Sequence, residues 1–344
     1  MQSCQASRYT ELDRPRRIAC FHMNQVGDLL FSLPALYNLR TAFPEAHIAS
    51  VARPHCKELL LLSGLADEVV ERPRRPIGSG LRVAGLLRRQ RLDLALLFST
   101  SLGMATLALL SGGRARVGFA RSPAALFLTH RVPWTPPPST QNNLRLLEAI
   151  GCPVTKRDYV GLIEPGEPER DEAGRLLQSA GIGAGEQFAI LGPGTSSSRE
   201  IKRWSDEGFA QVADRLADES GLKSVIVGLD GGDRICALSR NAVDLTGRTS
   251  LAALAAVLGM ARVFVGVDSG LMHLAAAAGT PVVALFGPSD PEITGPQGEG
   301  HRAIHIDMPC RPCLAKSCDM GRGCMVGITA DMVTDAVASI VSDA

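Results

Sequence analysis

Short apolar runs alternate along the chain with stretches of helical period, and the alternation occurs twice. In the first half, Ile18 to Met23 predicts a strand, and a helix beginning near Asp28 continues through Pro34 to Thr41. Ala46 to Ala52 and Leu92 to Phe98 predict further strands, and Ser101 to Leu110 a helix. The second half predicts strands at Phe188 to Leu191, Ser224 to Leu229, Val263 to Val267 and Pro281 to Phe286. Helices are expected at Asp206 to Ala217, with Ser205 as N-cap and two carboxylates in the first turn, and at Leu251 to Leu258. A last helix, Thr329 to Val341, puts Met332, Val333, Ala336, Val337 and Ile340 on one face.

Strands that are apolar at every position belong in parallel sheets covered on both faces. The pattern therefore predicts an α/β fold of two doubly wound, Rossmann-like domains with strand carboxyl ends facing a shared cleft. Single cores rarely grow past roughly 250 to 300 residues, so 344 residues also imply two. Four prolines interrupt Val132 to Ser139, and a Pro and Gly cluster spans Glu164 to Pro168, after which the alternation restarts. The boundary is expected there, giving domains 1–165 and 166–327, with 328–344 as the terminal helical segment. No repeat of 20 to 50 residues is visible.

Charge adds an asymmetry. The net charge is +1, but residues 1–165 carry 21 Lys and Arg against 12 Asp and Glu, and residues 166–344 carry 15 against 23. Arg72, Arg74, Arg75, Arg82, Arg88, Arg89 and Arg91 crowd one segment, which suits an anionic substrate or a membrane surface, or is simply a solvated Arg-rich loop and helix. With 4% aromatic residues and no recognisable module, nucleic acid is not an expected partner. The polar stretch from Met1 to Pro15 lacks the apolar core of a secretory signal, and no run approaches a membrane span, so a cytoplasmic protein is expected. Nine unevenly spread cysteines fit a reducing compartment.

The most informative stretch is Val263 to Pro291, a buried strand, polar turn, small-residue helix and second buried strand. Ligands bind at strand carboxyl ends in open α/β sheets. A helix starting at Ser269 or Gly270 offers free N–H groups to an anion, for which a diphosphate is the natural guest. Asp268 and His273 stand beside it, the first also a possible N-cap, the second also able to bond a neighbouring carbonyl. The segment Gly192 to Ser205 follows a strand and joins Gly192, Gly194, three serines including Ser198, Lys202 and Arg203, a plausible phosphate cradle or a flexible serine-rich loop. It is not a Walker sequence, and N-Q-V-G-D at Asn24 to Asp28 is not a dinucleotide fingerprint. Asp28 stands at the mouth of the cleft as a carboxylate for chemistry or as an N-cap. Trp204 reads as packing rather than a platform for a base. Cys310, Cys313, Cys318 and Cys324 are compact enough for a tetrahedral zinc, though reduced structural thiols, with no metal, are the favoured reading.

Five ordered motifs, G-D-L-L-x-x-L-P-A-L from Gly27, K-R-W-S from Lys202, D-L-T-G-R-T-S-L from Asp244, V-D-S-G-L-M-H-L-A-A-A from Val267 and F-G-P-S-D-P from Phe286, carry a resemblance. The chain resembles glycosyltransferase family 9, the ADP-heptose:lipopolysaccharide heptosyltransferases, from about Ile18 to Val337. The resemblance implies a GT-B fold with acceptor held by the first domain, sugar nucleotide by the second, and a last helix packing back on the first. It implies an inverting transfer of heptose from ADP-heptose to a hydroxyl of the lipopolysaccharide inner core, with Asp28 as general base and no cofactor beyond the ADP-sugar co-substrate. Lys202, Ser198, Ser269 and Gly270 look like diphosphate partners. Asp268 and His273 would hold donor hydroxyls or order the turn, Asp230 the ribose, and Thr249 the adenine pocket, with Gly194 in the same cradle. The anionic core acceptor would meet Arg72, Arg74, Arg75, Arg88, Arg89 and Arg91, and the enzyme would touch the cytoplasmic face of the inner membrane peripherally. The alternatives are a relative using another nucleotide sugar or glycan acceptor, and a non-catalytic binding or scaffold protein.

Overall fold

The computed structural model describes residues 14–72, 78–121, 123–135, 139–195, 197–313, 315 and 317–342. Arg74 and Arg75 lie outside the described residues, and so does the side chain of Ser198. The chain divides after Leu162 into two compact units.

The first unit contains β1 (Arg17–Phe21), α1 (Val26–Leu30), α2 (Leu33–Ala42), β2 (His47–Ala52), α3 (Lys57–Leu62), β3 (Glu68–Glu71), α4 (Gly78–Arg89), β4 (Leu94–Leu97), α5 (Leu102–Leu110), β5 (Ala115–Phe119), β6 (His130–Val132) and α6 (Ser139–Glu148). Its strands form one parallel sheet in the order β3-β2-β1-β4-β5-β6. The helix expected from Asp28 to Thr41 is two helices. Pro34 has no N–H to continue an α-helical ladder from α1, so it sits in the first turn of α2 instead, behind Ser32.

The second unit contains α7 (Glu167–Ser179), β7 (Phe188–Gly192), α8 (Asp206–Ser220), β8 (Lys223–Ile226), α9 (Gly232–Leu238), β9 (Ala242–Asp244), α10 (Leu251–Met260), β10 (Val263–Val267), α11 (Gly270–Ala277), β11 (Val282–Phe286), α12 (Pro291–Thr294), β12 (Arg302–His305), α13 (Gly323–Val326) and α14 (Ala330–Ser342). The strand order, β12-β11-β10-β7-β8-β9, repeats the topology of the first sheet. β7, β10 and β11 are buried at every position, as strands covered on both faces must be.

One expectation is corrected. Pro168, taken as part of a linker, occupies the first turn of α7, where its missing N–H costs nothing. The closing helix α14 packs on α8 and on β10, β11 and β12, and Val333, Val337 and Ile340 join the core of the second unit.

Candidate active site

β7, β10 and β11 are adjacent and parallel, so the loops that leave their carboxyl ends share one edge. Small residues permit this spacing: a Cβ on Gly192 would stand 2.5 Å from the Phe264 ring, and one on Gly266 would stand 2.7 Å from the carbonyl oxygen of Gly192. Gly192 is therefore a packing residue of the strand pair rather than a turn device. Gly194 differs, because a Cβ there would meet nothing within 4 Å.

Beyond Gly194 the chain forms a 3-10 turn, Ser197–Lys202, whose end is firmly held. Trp204 is buried, donates from Nε1 to the carbonyl of Ile328 at 3.1 Å and meets Phe209 edge-on, as expected of a packing residue. Ser205 caps α8 by accepting from the Gly208 N–H at 2.9 Å. These anchors deliver Lys202 to the end of β10, where its Nζ lies 2.5 Å from Asp268 Oδ2. The two side chains are only 17% and 6% exposed. The same carboxylate oxygen accepts from Ser289 Oγ, after β11, and lies 3.5 Å from Thr294 Oγ1. Asp268 is thus an ion-pair partner joining three loops, not an N-cap. The N-cap of α11 is Ser269, which makes no side-chain capping bond, and its buried hydroxyl has no partner. At this helix start the free N–H groups and the unused hydroxyl face the same edge as Lys202.

His273, one turn into α11, is buried, and burial pushes its pKa down to about 4 against the opposing pull of Asp268. Near neutral pH it is an uncharged imidazole, so Lys202 is the cation of this cluster. Asp230 follows β8 and is exposed, while Thr249 is half-buried just before Ser250, the N-cap of α10. The Gly247 N–H donates to the Gly228 carbonyl at 2.8 Å, tying those two loops together. Ser289, Asp268, Lys202, Asp230 and Thr249 consequently follow the strand order β11-β10-β7-β8-β9 along a single edge. At the usual interstrand spacing that row is about 19 Å long. A cavity of about 730 Å³ lined by Arg170, Arg175 and Arg262 opens at the opposite, amino edge of this sheet, away from the row.

In the first unit, Asp28 lies in the first turn of α1, three positions beyond the N-cap Gln25. Burial holds its carboxyl above the usual carboxylate range. Cys56 stands close enough that the Asp28 charge adds to the burial that pushes its thiol up to about 11. A buried histidine fixes the turn, and nothing in the motifs pointed to it. His22 Nδ1 is 2.8 Å from Ser32 Oγ and Nε2 is 3.1 Å from Ser50 Oγ. Ser32 donates its one hydroxyl proton to the Leu29 carbonyl at 2.6 Å, so it must accept from Nδ1–H, which leaves Nε2 as the acceptor for Ser50. Burial lowers the His22 pKa to about 3 and keeps this neutral tautomer. β1, β2 and the α1–α2 junction are joined through one ring.

Two cations flank the same turn. Asn24 Oδ1 accepts from Arg53 Nε at 3.0 Å and from Arg72 Nη2 at 2.6 Å. Arg53 Nη1 and Arg72 Nε are buried with no hydrogen-bond partner. Arg53 escaped sequence reasoning because it is remote from the arginine cluster in sequence; β2 and β3 bring the two together. Arg88, Arg89 and Arg91 are corrected in the other direction. They precede β4 at the amino edge of the sheet, and Asp28 follows β1 at the carboxyl edge, so the structure separates them from the Asp28 turn.

Among the described residues no group of three or more His, Cys, Asp or Glu is placed to hold a metal ion. Cys324 is buried and its thiol is pushed up by burial and then by neighbouring Cys310 and Cys318, and all four late cysteines are free thiols. No helix among the described residues is long and apolar enough to cross a membrane.

The profile of glycosyltransferase family 9 (heptosyltransferase) matches residues 81–323. Lipopolysaccharide heptosyltransferase 1 of Pseudomonas aeruginosa is 35% identical over a stretch covering 39% of this chain and 40% of that protein. Lipopolysaccharide heptosyltransferase 2 of Salmonella typhimurium is 26% identical, with 82% of this chain and 85% of the relative covered. Among solved structures, E. coli ADP-heptose lps heptosyltransferase II superposes with a TM-score of 0.80 at 22% identity, covering 95% of this chain and 99% of that one. The two share a fold.

Proposed function

The chain belongs to glycosyltransferase family 9, the heptosyltransferases, and we propose that it moves a heptose from ADP-heptose to a hydroxyl of the lipopolysaccharide inner core with inversion at the anomeric carbon. The observation that carries this reading is the Lys202, Asp268 and Ser289 cluster beside the open start of α11, with Asp230 and Thr249 farther along the same strand edge. An elongated donor fits such a row: sugar near Asp268 and Ser289, diphosphate at Lys202, Ser269 and Gly270, ribose at Asp230, adenine by Thr249. Negative charge builds on the diphosphate as the glycosidic bond breaks, and a lysine with preset N–H groups stabilises it without reorganisation.

The first unit holds the acceptor and supplies the base. Asp28, whose carboxyl burial holds above the usual carboxylate range, in its ionised form takes the hydroxyl proton as that oxygen attacks the anomeric carbon and ADP leaves. Arg53 and Arg72, each with an unused buried N–H, suit an anionic group of the acceptor. The transfer so written needs no metal, and the late cysteines stay thiols. The enzyme works at the cytoplasmic face of the inner membrane, where such an acceptor is presented.

Asp28→Ala should abolish heptosyl transfer to a truncated core acceptor while leaving intact the rise in Tm caused by ADP-heptose. A variant that still turns over at the normal rate removes Asp28 as base. A wild-type protein whose Tm ignores ADP-heptose removes the donor assignment.

A further inference from the structure

The segment that carries the late cysteines has no part in the transfer as written, yet it grips the donor edge at two places. Arg311 Nη2 donates to the Ser289 carbonyl at 2.9 Å, and its Nη1 donates to the Ile306 carbonyl at 2.9 Å, so one guanidinium ties the loop after β11 to the loop after β12. Two residues on, the Cys313 N–H donates to the Pro288 carbonyl at 2.7 Å. Two consecutive carbonyls beyond β11 are thus held by C-R-P-C at 310–313. At the second place Arg322 Nη1 donates to the Arg203 carbonyl at 3.1 Å, one residue after Lys202. Between the two grips α13 packs so closely on the end of β11 that a Cβ on Gly287 would overlap Met325.

Ser289 is the residue these contacts control. Its hydroxyl donates to Asp268 Oδ2, the oxygen that also takes the Lys202 ammonium. Asp290, next in the chain, is occupied as the cap of α12, where its Oδ1 accepts from the Glu292 N–H at 2.9 Å. With the backbone held on both sides, only rotation about χ1 remains to bring the Ser289 hydroxyl to Asp268. Asp268 in turn fixes the lysine, whose head is a point charge on a flexible stem and stands where its partner puts it. An arginine suits the outer position because its planar fork presents N–H groups in fixed directions to two carbonyls at once. Arg311 Nε is buried with no partner, so the head group is anchored by its two outer nitrogens.

We infer that Arg311 is a positioning residue of the donor site: by fixing the Ser289 backbone it orients Asp268 and, through Asp268, aims the Lys202 ammonium at the leaving diphosphate. The inference rests on the donor reading given above. Its action runs through Ser289, at two removes from the ligand, and the cysteine-bearing segment is the frame that holds it in place. A brace with no bearing on the reaction would lower stability and leave turnover per folded molecule unchanged. A positioning residue alters the donor step and spares the acceptor.

The test is steady-state transfer by the full chain carrying Arg311→Met, Ser289→Ala or both, with donor and acceptor varied separately, and the Tm of each protein with and without ADP. Misplacing a group by about 1 Å costs roughly a hundredfold in rate. Arg311→Met should therefore lose about ten- to hundredfold in kcat/KM for ADP-heptose, with the acceptor KM unmoved and a smaller rise in Tm on adding ADP than the wild type shows. Because Arg311 acts through Ser289, the double variant should be no worse than the poorer single. Arg311→Lys keeps the charge without the two-pronged grip; it should lose part of the same factor, and it carries the comparison if the methionine variant does not fold. A wild-type kcat/KM for the donor in the folded variant overturns the proposal, and so do penalties that multiply in the double variant or an acceptor KM that rises as much as the donor KM. A wild-type protein whose Tm ignores ADP removes the donor assignment and this inference with it. A wild type that responds beside an Arg311→Met that responds equally removes the positioning role alone.

Discussion

Asp268→Asn isolates the Lys202 ion pair. The substitution keeps the size of the side chain and an acceptor for Ser289, but it leaves the Lys202 ammonium without a counter-charge at a site where the lysine is 17% exposed. Breaking one side of a buried pair costs about 3–5 kcal/mol, and the flexible lysine stem, able to carry its head toward solvent, argues for about 3. In a unit of this size 1 kcal/mol shifts Tm by about 2–4 °C, so the apo variant should melt about 6–12 °C lower. Lys202→Met in the same chain should recover most of the loss, because the uncompensated charge goes with it. The diphosphate reading adds a second signature: ADP supplies the missing anion, so it should raise the Tm of Asp268→Asn more than that of the wild type. Scanning fluorimetry of the three proteins with and without ADP gives every quantity needed. A single variant within about 2 °C of wild type would show that the pair contributes nothing, and equal increments with ADP would show that Lys202 does not face the diphosphate.

Three further expectations concern titration and charge. The Asp28 carboxyl is raised by burial and serves as a base only when ionised, so kcat should fall as pH drops through a midpoint above 3.8; a rate flat down to pH 4 refutes the role. His273 is held neutral with a pKa of about 4 against 6.5 unfolded, so the unfolded state binds the extra proton and stability is lost as pH falls below 6.5. At pH 5 that amounts to about 2 kcal/mol, and a His273→Gln variant should show a correspondingly shallower decline in the melting of the second unit between pH 7 and 5. Arg53→Gln/Arg72→Gln should raise the acceptor KM about tenfold or more at low salt and much less at about 0.5 M, with the donor KM unmoved; an unchanged acceptor KM places the anionic group elsewhere.

The parts of the fold that were legible in the sequence are those where burial is two-sided. β7, β10 and β11 announced themselves as unbroken apolar runs, and the β10–α11–β11 stretch located the donor edge from residue order alone. Edge strands were missed for the converse reason. β3 is only Glu-Val-Val-Glu with one buried residue, and β9 and β12 are similarly half-exposed, so neither length nor alternation marks them. Relations between distant positions were also hidden. Lys202 and Asp268 are 66 residues apart, and their pairing converts two separate ligands into one electrostatic unit. His22 carried no signal of its own within the predicted strand Ile18 to Met23, and only the positions of Ser32 and Ser50 turn it into the clamp of the Asp28 turn. Of the arginine cluster, Arg72 stays with the site because β3 ends beside β2, while Arg88, Arg89 and Arg91 stand before β4 at the other edge of the sheet.

The placement of α14 has a consequence for biosynthesis. All six strands of the first sheet lie between Arg17 and Val132, and the closing helix joins the core of the second unit. The amino-terminal half therefore has its whole sheet once Val132 has left the ribosome, and it can fold while the rest of the chain is still being made. At ordinary elongation rates that head start is roughly ten to forty seconds. Nascent chains released at residue 162 should already resist protease, whereas those stopped before Thr329 should carry a second half that is cut.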